Sequence, residues 1–90
     1  MFSFRLYVAG DSRNSLDAVA NLSALCKEWL PQQHEIEIVD VFREPGRARA
    51  DGVLMTPMLV KLGSAPVRIV GTLNEPVSVM RALGLGGAAA

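Results

Sequence analysis

Phe2-Ser3-Phe4-Arg5-Leu6-Tyr7-Val8-Ala9-Gly10-Asp11-Ser12-Arg13-Asn14-Ser15 reads as a strand, a tight turn and the start of a helix. Phe2, Phe4, Leu6 and Val8 share one face of an extended segment, and Ser3, Arg5, Tyr7 and Ala9 share the other, which is the two-residue period of a strand inside a sheet. Gly10 admits a backbone conformation that a Cβ resists. Asp11, Ser12 and Asn14 carry oxygens suited to the free N–H groups of a following helix. Folds of the α/β class place their chemistry at such strand-to-helix turns. This turn holds serines but neither Cys nor His.

Beyond the turn, Leu16, Val19, Ala20, Leu22, Ala24, Leu25, Cys26, Trp29 and Leu30 recur at helical spacing, with Asn14 as the expected N-cap, Asp17 in the first turn and Pro31 closing the helix. Gln32, Gln33 and His34 connect to Glu35–Phe42, a β-branched strand that a right-handed crossover sets parallel to the first. Pro45 and the Ala/Arg run predict a short helix within 43–52. Met58–Leu62 is the third strand, with Pro57 at its start because a proline cannot donate to a ladder. A turn at Gly63–Pro66 returns the chain as Val67–Val70, an antiparallel strand that ends at Gly71. Asn74-Glu75-Pro76 then predicts a helix start with Asn74 as cap, and the small residues from Gly84 onward fray. The order is βαβαββα, an α/β thioredoxin-like fold with a mixed four-stranded sheet flanked by helices. One domain over 1–85 and a disordered tail at 86–90 are expected.

Half of the 90 residues are hydrophobic, enough for one core, and nine basic against nine acidic side chains give zero net charge. No global field attracts nucleic acid or an anionic membrane surface, and no segment approaches the roughly 20 apolar residues of a membrane helix. The single cysteine, Cys26, has no internal partner, and no charged start with a long apolar run marks a secreted chain. A cytoplasmic location is the expectation.

Leu6-Tyr7-Val8-Ala9-Gly10, Asn14-Ser15, Val39-Asp40-Val41 with Pro45, Thr56-Pro57 with Leu59 and Lys61, and Pro66-Val67-Arg68 with Gly71 and Leu73 resemble the KaiB family of circadian clock proteins. The resemblance runs from about Phe4 to Leu85. It implies a non-enzymatic protein that binds the ring-shaped ATPase KaiC, captures KaiA and competes with the sensor kinase SasA. It also implies two folds, a thioredoxin-like monomer and a tetramer with a rearranged C-terminal half. In that tetramer the stretch matching Val77–Leu85 becomes a strand, and the stretch after Pro57 becomes helix. Here Pro76 follows an N-cap and Ala82 stands where a glycine is common, and Ala favours helix over Gly by about 1 kcal/mol. Met58-Leu59-Val60 with Gly63 is a poor helix. The chain is therefore expected to rest in the thioredoxin-like fold, monomeric or weakly associated, with the tetramer as the alternative. Where clock members carry a basic residue implicated in holding KaiA, this chain has Asp17.

Redox chemistry on such a scaffold needs a low-pKa thiolate at the N-terminus of the first helix, and residues 11–14 hold none. Cys26 reads as a buried structural thiol, His34 as a loop residue without ligand partners, and Asp40 as a backbone cap. No catalytic set, cofactor or metal site is expected. Arg43, Arg47, Arg49, Lys61 and Arg68 are the candidate partner-binding residues, a basic rim in the region through which the resemblance implies KaiC docking. Gly10, Asn14, Pro57, Pro66, Gly71, Pro76 and Ala82 are the residues expected to shape or switch the fold. The rival function is a thioredoxin-like domain that binds a small thiol or peptide at the Gly10/Pro57 corner.

Overall fold

The computed structural model describes residues 1–85, and the tail expected at 86–90 lies outside them. The elements run β1 (Phe2–Val8), α1 (Arg13–Trp29), β2 (His34–Asp40), α2 (Pro45–Ala50), β3 (Met58–Lys61), β4 (Val67–Val70) and α3 (Pro76–Ala82). The sheet order is β2-β1-β3-β4, with β1 parallel to β2 and the other pairings antiparallel. This is the mixed thioredoxin-like sheet expected from the element order.

The alternation of β1 separates two cores. Phe4, Leu6 and Val8 pack with Ala18, Leu22, Leu25 and Cys26 of α1, Leu59 of β3, and Val79 and Met80 of α3. On the opposite face Tyr7 packs with Val39, Ala48 of α2, Met58 and Val60. Burial of each large side chain here stabilises the fold by about 1.5–3 kcal/mol.

Several local expectations shift. The N-cap of α1 is Ser12, not Asn14, because Ser12 Oγ accepts the Ser15 N–H at 3.3 Å, the reach an N-cap needs. Helix α1 thus starts at Arg13, and Asp17 falls in its second turn, paired with Arg13 at 3.4 Å. Leu16 and Trp29 lie on the outer side of this helix, about half exposed. Strand β2 gains His34 and loses Val41 and Phe42, because Asp40 Oδ1 accepts the Phe42 N–H at 2.9 Å and the Asp40 carbonyl accepts from Arg43 and Glu44. The N-cap of α3 is Glu75, not Asn74, since Pro76 already occupies the first helical position.

The chain after α3 does not fray within the described residues. Gly84, at φ +75°, donates its N–H to the Arg81 carbonyl at 3.0 Å, and Leu85 donates to Met80 at 2.9 Å. These two bonds make a Schellman turn that closes the helix, and Leu85 packs against the larger core.

Candidate functional site

The turn after β1 is held from three sides. Ser15, fully buried, accepts hydrogen bonds at its Oγ from the Ala9 N–H at 3.0 Å and from the Ser12 hydroxyl at 2.8 Å. Asp40, at the end of β2, accepts the Gly10 N–H at 3.2 Å through the same oxygen that caps Phe42. Gly10 has φ +54°, and a Cβ there would sit 3.5 Å from the Phe42 ring. The left-handed φ is what favours glycine here, since a Cβ would meet Phe42 only at ordinary contact distance. Thr56-Pro57 is cis, and the Pro57 carbonyl accepts the Gly71 N–H at 3.0 Å, with Gly71 at φ +123°. Pro66 is exposed at the β3–β4 turn.

No thiol reaches this corner. Cys26 is fully buried, and burial pushes its thiol up to about 11, so at neutral pH it is protonated and out of contact with solvent. His34 is not in a loop: it opens β2 and its Nδ1–H donates to the Leu30 carbonyl at 2.7 Å. Among the described residues no cluster of His, Cys, Asp and Glu is placed to hold a metal ion. The described helices also include none long and apolar enough to cross a membrane.

Charge is concentrated on the α2 face. Arg5 bridges Glu37 at 2.8 Å and Asp51 at 3.1 Å, while Arg47 meets Glu37 at 2.7 Å and Glu44 at 3.5 Å. The buried Tyr7 hydroxyl donates to Asp51 and lies 3.3 Å from the Arg47 carbonyl. The bonds from Arg47 and then Arg5 hold the Glu37 carboxyl at about 2, against an ordinary 4.5. The Tyr7 bond, followed by that of Arg5, lowers the Asp51 pKa, and burial ahead of its Asp51 contact raises that of Tyr7. This network ties the start and end of α2 to β1 and β2.

The five candidate basic residues do not share one surface. Arg43 is exposed and only 4.0 Å from Asp40, Arg49 is exposed without an ion pair among the described residues, and Arg47 is engaged by Glu37. The Arg68 guanidinium lies beside Gly52, next to Asp51. Lys61 stands apart, on the α1/α3 side: its Nζ donates to the Leu83 carbonyl at 3.1 Å and lies 5.8 Å from the Phe2 ring centroid. The four arginines therefore gather around α2, and Lys61 closes α3.

Between Phe42 and the segment leading to Pro57 runs an open groove of about 240 Å3, walled by Ala9, Phe42, Ala48, Leu54, Met55 and Thr56. Phe42, Leu54 and Met55 are 74, 94 and 64 % exposed. The sequence pattern does not mark these residues as a surface. Their signal is an apolar run between Gly52 and Pro57 that the strand pattern does not need. Nor does the pattern mark the ion network, although the parallel register that pairs Arg5 with Glu37 implies its first bridge.

Comparison with known proteins adds the lineage. The KaiB domain matches residues 5–84. The chain belongs to the KaiB family. It is 38 % identical over 80 residues to the circadian clock protein KaiB3 of Synechocystis sp., covering 88 % of this chain and 78 % of that one. It is 34 % identical over 85 residues to the circadian clock oscillator protein KaiB of Microcystis aeruginosa, covering 93 % and 82 %. In fold this KaiB-family chain is similar to chloroplastic thioredoxin z, with TM-score 0.76 at 16 % identity over 93 % of this chain and 76 % of that one. The N-terminal domain of Synechococcus elongatus SasA gives TM-score 0.65 at 18 % identity over 96 % and 86 %.

Proposed function

We propose that this chain is a non-enzymatic clock regulator that binds a KaiC-type ATPase ring as a thioredoxin-like monomer in the cytoplasm. The observation that carries the reading is its membership of the KaiB family across nearly its whole length. A turn without a thiol and a buried, protonated Cys26 support action by contact. The arginines around α2 supply the contact surface. Arg49 and Arg43 are the strongest candidates because their charge is least engaged within the chain, followed by Arg68 and then Arg47. Lys61, whose ammonium is tied to the Leu83 carbonyl on the other side of the sheet, is the last candidate of the five. KaiA or a SasA-type kinase is the further partner in this reading.

Co-elution of the purified chain with a KaiC-type ring tests it. Wild type is expected to co-elute, and Arg49→Glu to weaken binding about ten-fold, the equivalent of about 1.4 kcal/mol. A chain that never associates with the ring refutes the reading. Light scattering that finds a stable tetramer refutes the monomer. Glutathione that shifts the Gly10 and Thr56 amides would favour the rival thiol-binding function.

A further inference from the structure

We infer that the open edge of β4 takes an extended segment of another protein as a fifth strand. The segment sets a large apolar side chain and, two residues on, a lysine or arginine into the cleft between β4 and α3. This edge faces away from β3 and so from the Gly10/Pro57 corner. It involves no residue of α2 and, of Arg68, only the backbone, so the inference does not depend on the arginine surface proposed above.

The backbone makes the first argument. In the order β2-β1-β3-β4, strand β4 pairs on one side only. Opposed residues of an antiparallel pair alternate between those that exchange hydrogen bonds and those whose groups turn away. The Leu62 N–H donates to the Ser3 carbonyl at 2.9 Å on the β1 side of β3, and the Gly71 N–H donates to the Pro57 carbonyl at 3.0 Å on the β4 side. With the register, Met58 and Val60 thus bond β1, while Leu59 and Lys61 bond Ile69 and Val67. The N–H and C=O groups of Arg68 and Val70 are left pointing out of the sheet, spaced as one half of a ladder. A proline, a bulge or an inward-pointing charge commonly blocks such an edge. Val67–Val70 has none of these, since Arg68 projects to the α2 side with its guanidinium beside Gly52. Four ladder bonds make a short run, so recognition falls on the cleft.

That cleft, of about 480 Å3, lies along the same edge and is walled by Ile69, Gly71, Leu73, Val79 and Ala82, with the exposed Glu75 beside them. Ile69 packs toward the α1/α3 core, so an added strand presents every second side chain to the cleft. A Cβ on Gly71 would meet nothing within 4 Å, so the space next to that glycine admits a large side chain from the added strand. The floor is apolar, with Leu73 and Val79 buried. Glu75 makes no capping bond to α3 and no ion pair among the described residues. A free carboxylate next to an apolar floor selects an apolar side chain and a cation on one face of the incoming strand. A second copy of β4 would offer Val67 and Ile69 on that face and no cation, so the occupant is a different protein.

The test is an amide NMR titration of the full chain with two synthetic peptides of alternating threonine and valine, one with Phe-Thr-Lys at its centre and the other with Phe-Thr-Glu. The lysine peptide is expected to shift the Val70, Gly71 and Ser78 amides and to bind about ten-fold more tightly than the glutamate peptide. Val70→Pro deletes an outward N–H at an edge, where proline is tolerated, and spares the bonds to β3. It is expected to keep the amide dispersion of the fold and to abolish the shifts at Gly71 and Ser78. Glu75→Gln is expected to bring the two peptides to equal affinity, and it decides the matter alone if Val70→Pro fails to fold. Shifts at the Gly10 and Thr56 amides instead, equal affinity of the wild-type chain for both peptides, or a preference that survives Glu75→Gln overturn the inference. Binding that survives Val70→Pro does the same. Identical shifts on raising the concentration of the chain alone assign the edge to a second copy and also overturn it.

Discussion

The two faces of the sheet are held by different physics. On the α1/α3 face Phe4, Leu6, Leu22, Cys26, Leu59 and Leu83 are almost inaccessible, and the contacts are nearly all hydrocarbon. On the α2 face a smaller core of Tyr7, Val39, Ala48, Met58 and Val60 is overlaid by Arg5, Glu37, Arg47 and Asp51. Apolar burial is indifferent to pH, whereas an ion network is not. The face that carries the exposed arginines and the open groove is thus also the one held by the more adjustable forces.

Truncation in the hydrocarbon core is expected to have the largest effect. Leu22→Ala removes a fully buried side chain from α1, and the transfer and cavity terms together cost about 2–5 kcal/mol. The loss is global, read as a lower denaturant midpoint that is the same whether followed at α1 or at α2. A loss confined to α1 would mean that the two cores do not unfold together.

Tyr7→Phe attacks the other face. It keeps the ring and deletes the hydroxyl that donates to Asp51, a bond to a charged acceptor worth about 1.5–3 kcal/mol. Asp51 retains Arg5 at 3.1 Å, so the effect falls at the lower end of that range. Hydrogen exchange is expected to accelerate in α2 more than in α1; equal acceleration would mean that the two faces do not open separately.

Acid sharpens the same contrast. Glu37 has a folded pKa of about 2 against 4.5, and that of Asp51 is lowered in the same direction. A depressed carboxyl contributes stability above its unfolded pKa and loses it as pH falls through the folded one. Midpoints are therefore expected to fall between pH 4.5 and about 2, and Glu37→Gln is expected to flatten that slope. Glu37 is solvent-facing, which keeps the change modest. A slope that Glu37→Gln leaves unaltered would place the acid sensitivity elsewhere.

The contrast also explains what was legible in the sequence. Two-residue and 3.6-residue hydrophobic periods differ strongly, so β1, α1, β2 and the overall order follow from pattern alone. Caps do not, because an N-cap is chosen by which oxygen reaches an amide two or three residues on; Ser12 reaches and Asn14 stands inside the helix. Gly84 looks like the start of a tail until its left-handed conformation closes α3. Phe42, Leu54 and Met55 carry the composition of a core and lie at its edge, a distinction made by tertiary packing. In the sequence Lys61 falls in with the arginines, because sequence distance does not show which side of the sheet a residue takes. That follows only from the register, in which Lys61 opposes Phe4 while Arg68 opposes Val60.

The smallest expected effect tests that last point. Lys61→Met keeps the stem over Phe2 and deletes the ammonium that donates to the Leu83 carbonyl at the end of α3. A cation at a helix C-terminus is worth about 0.3–1 kcal/mol. The loss is expected at the bottom of that range because the Gly84 and Leu85 amides already satisfy the neighbouring Arg81 and Met80 carbonyls. Faster exchange limited to the last turn of α3, with α2 and the groove unchanged, would make Lys61 a structural tie of the hydrocarbon face. Weakened ring binding at unchanged stability would instead return it to the partner surface, and would require the ring to reach around the sheet from the α2 side to the end of α3.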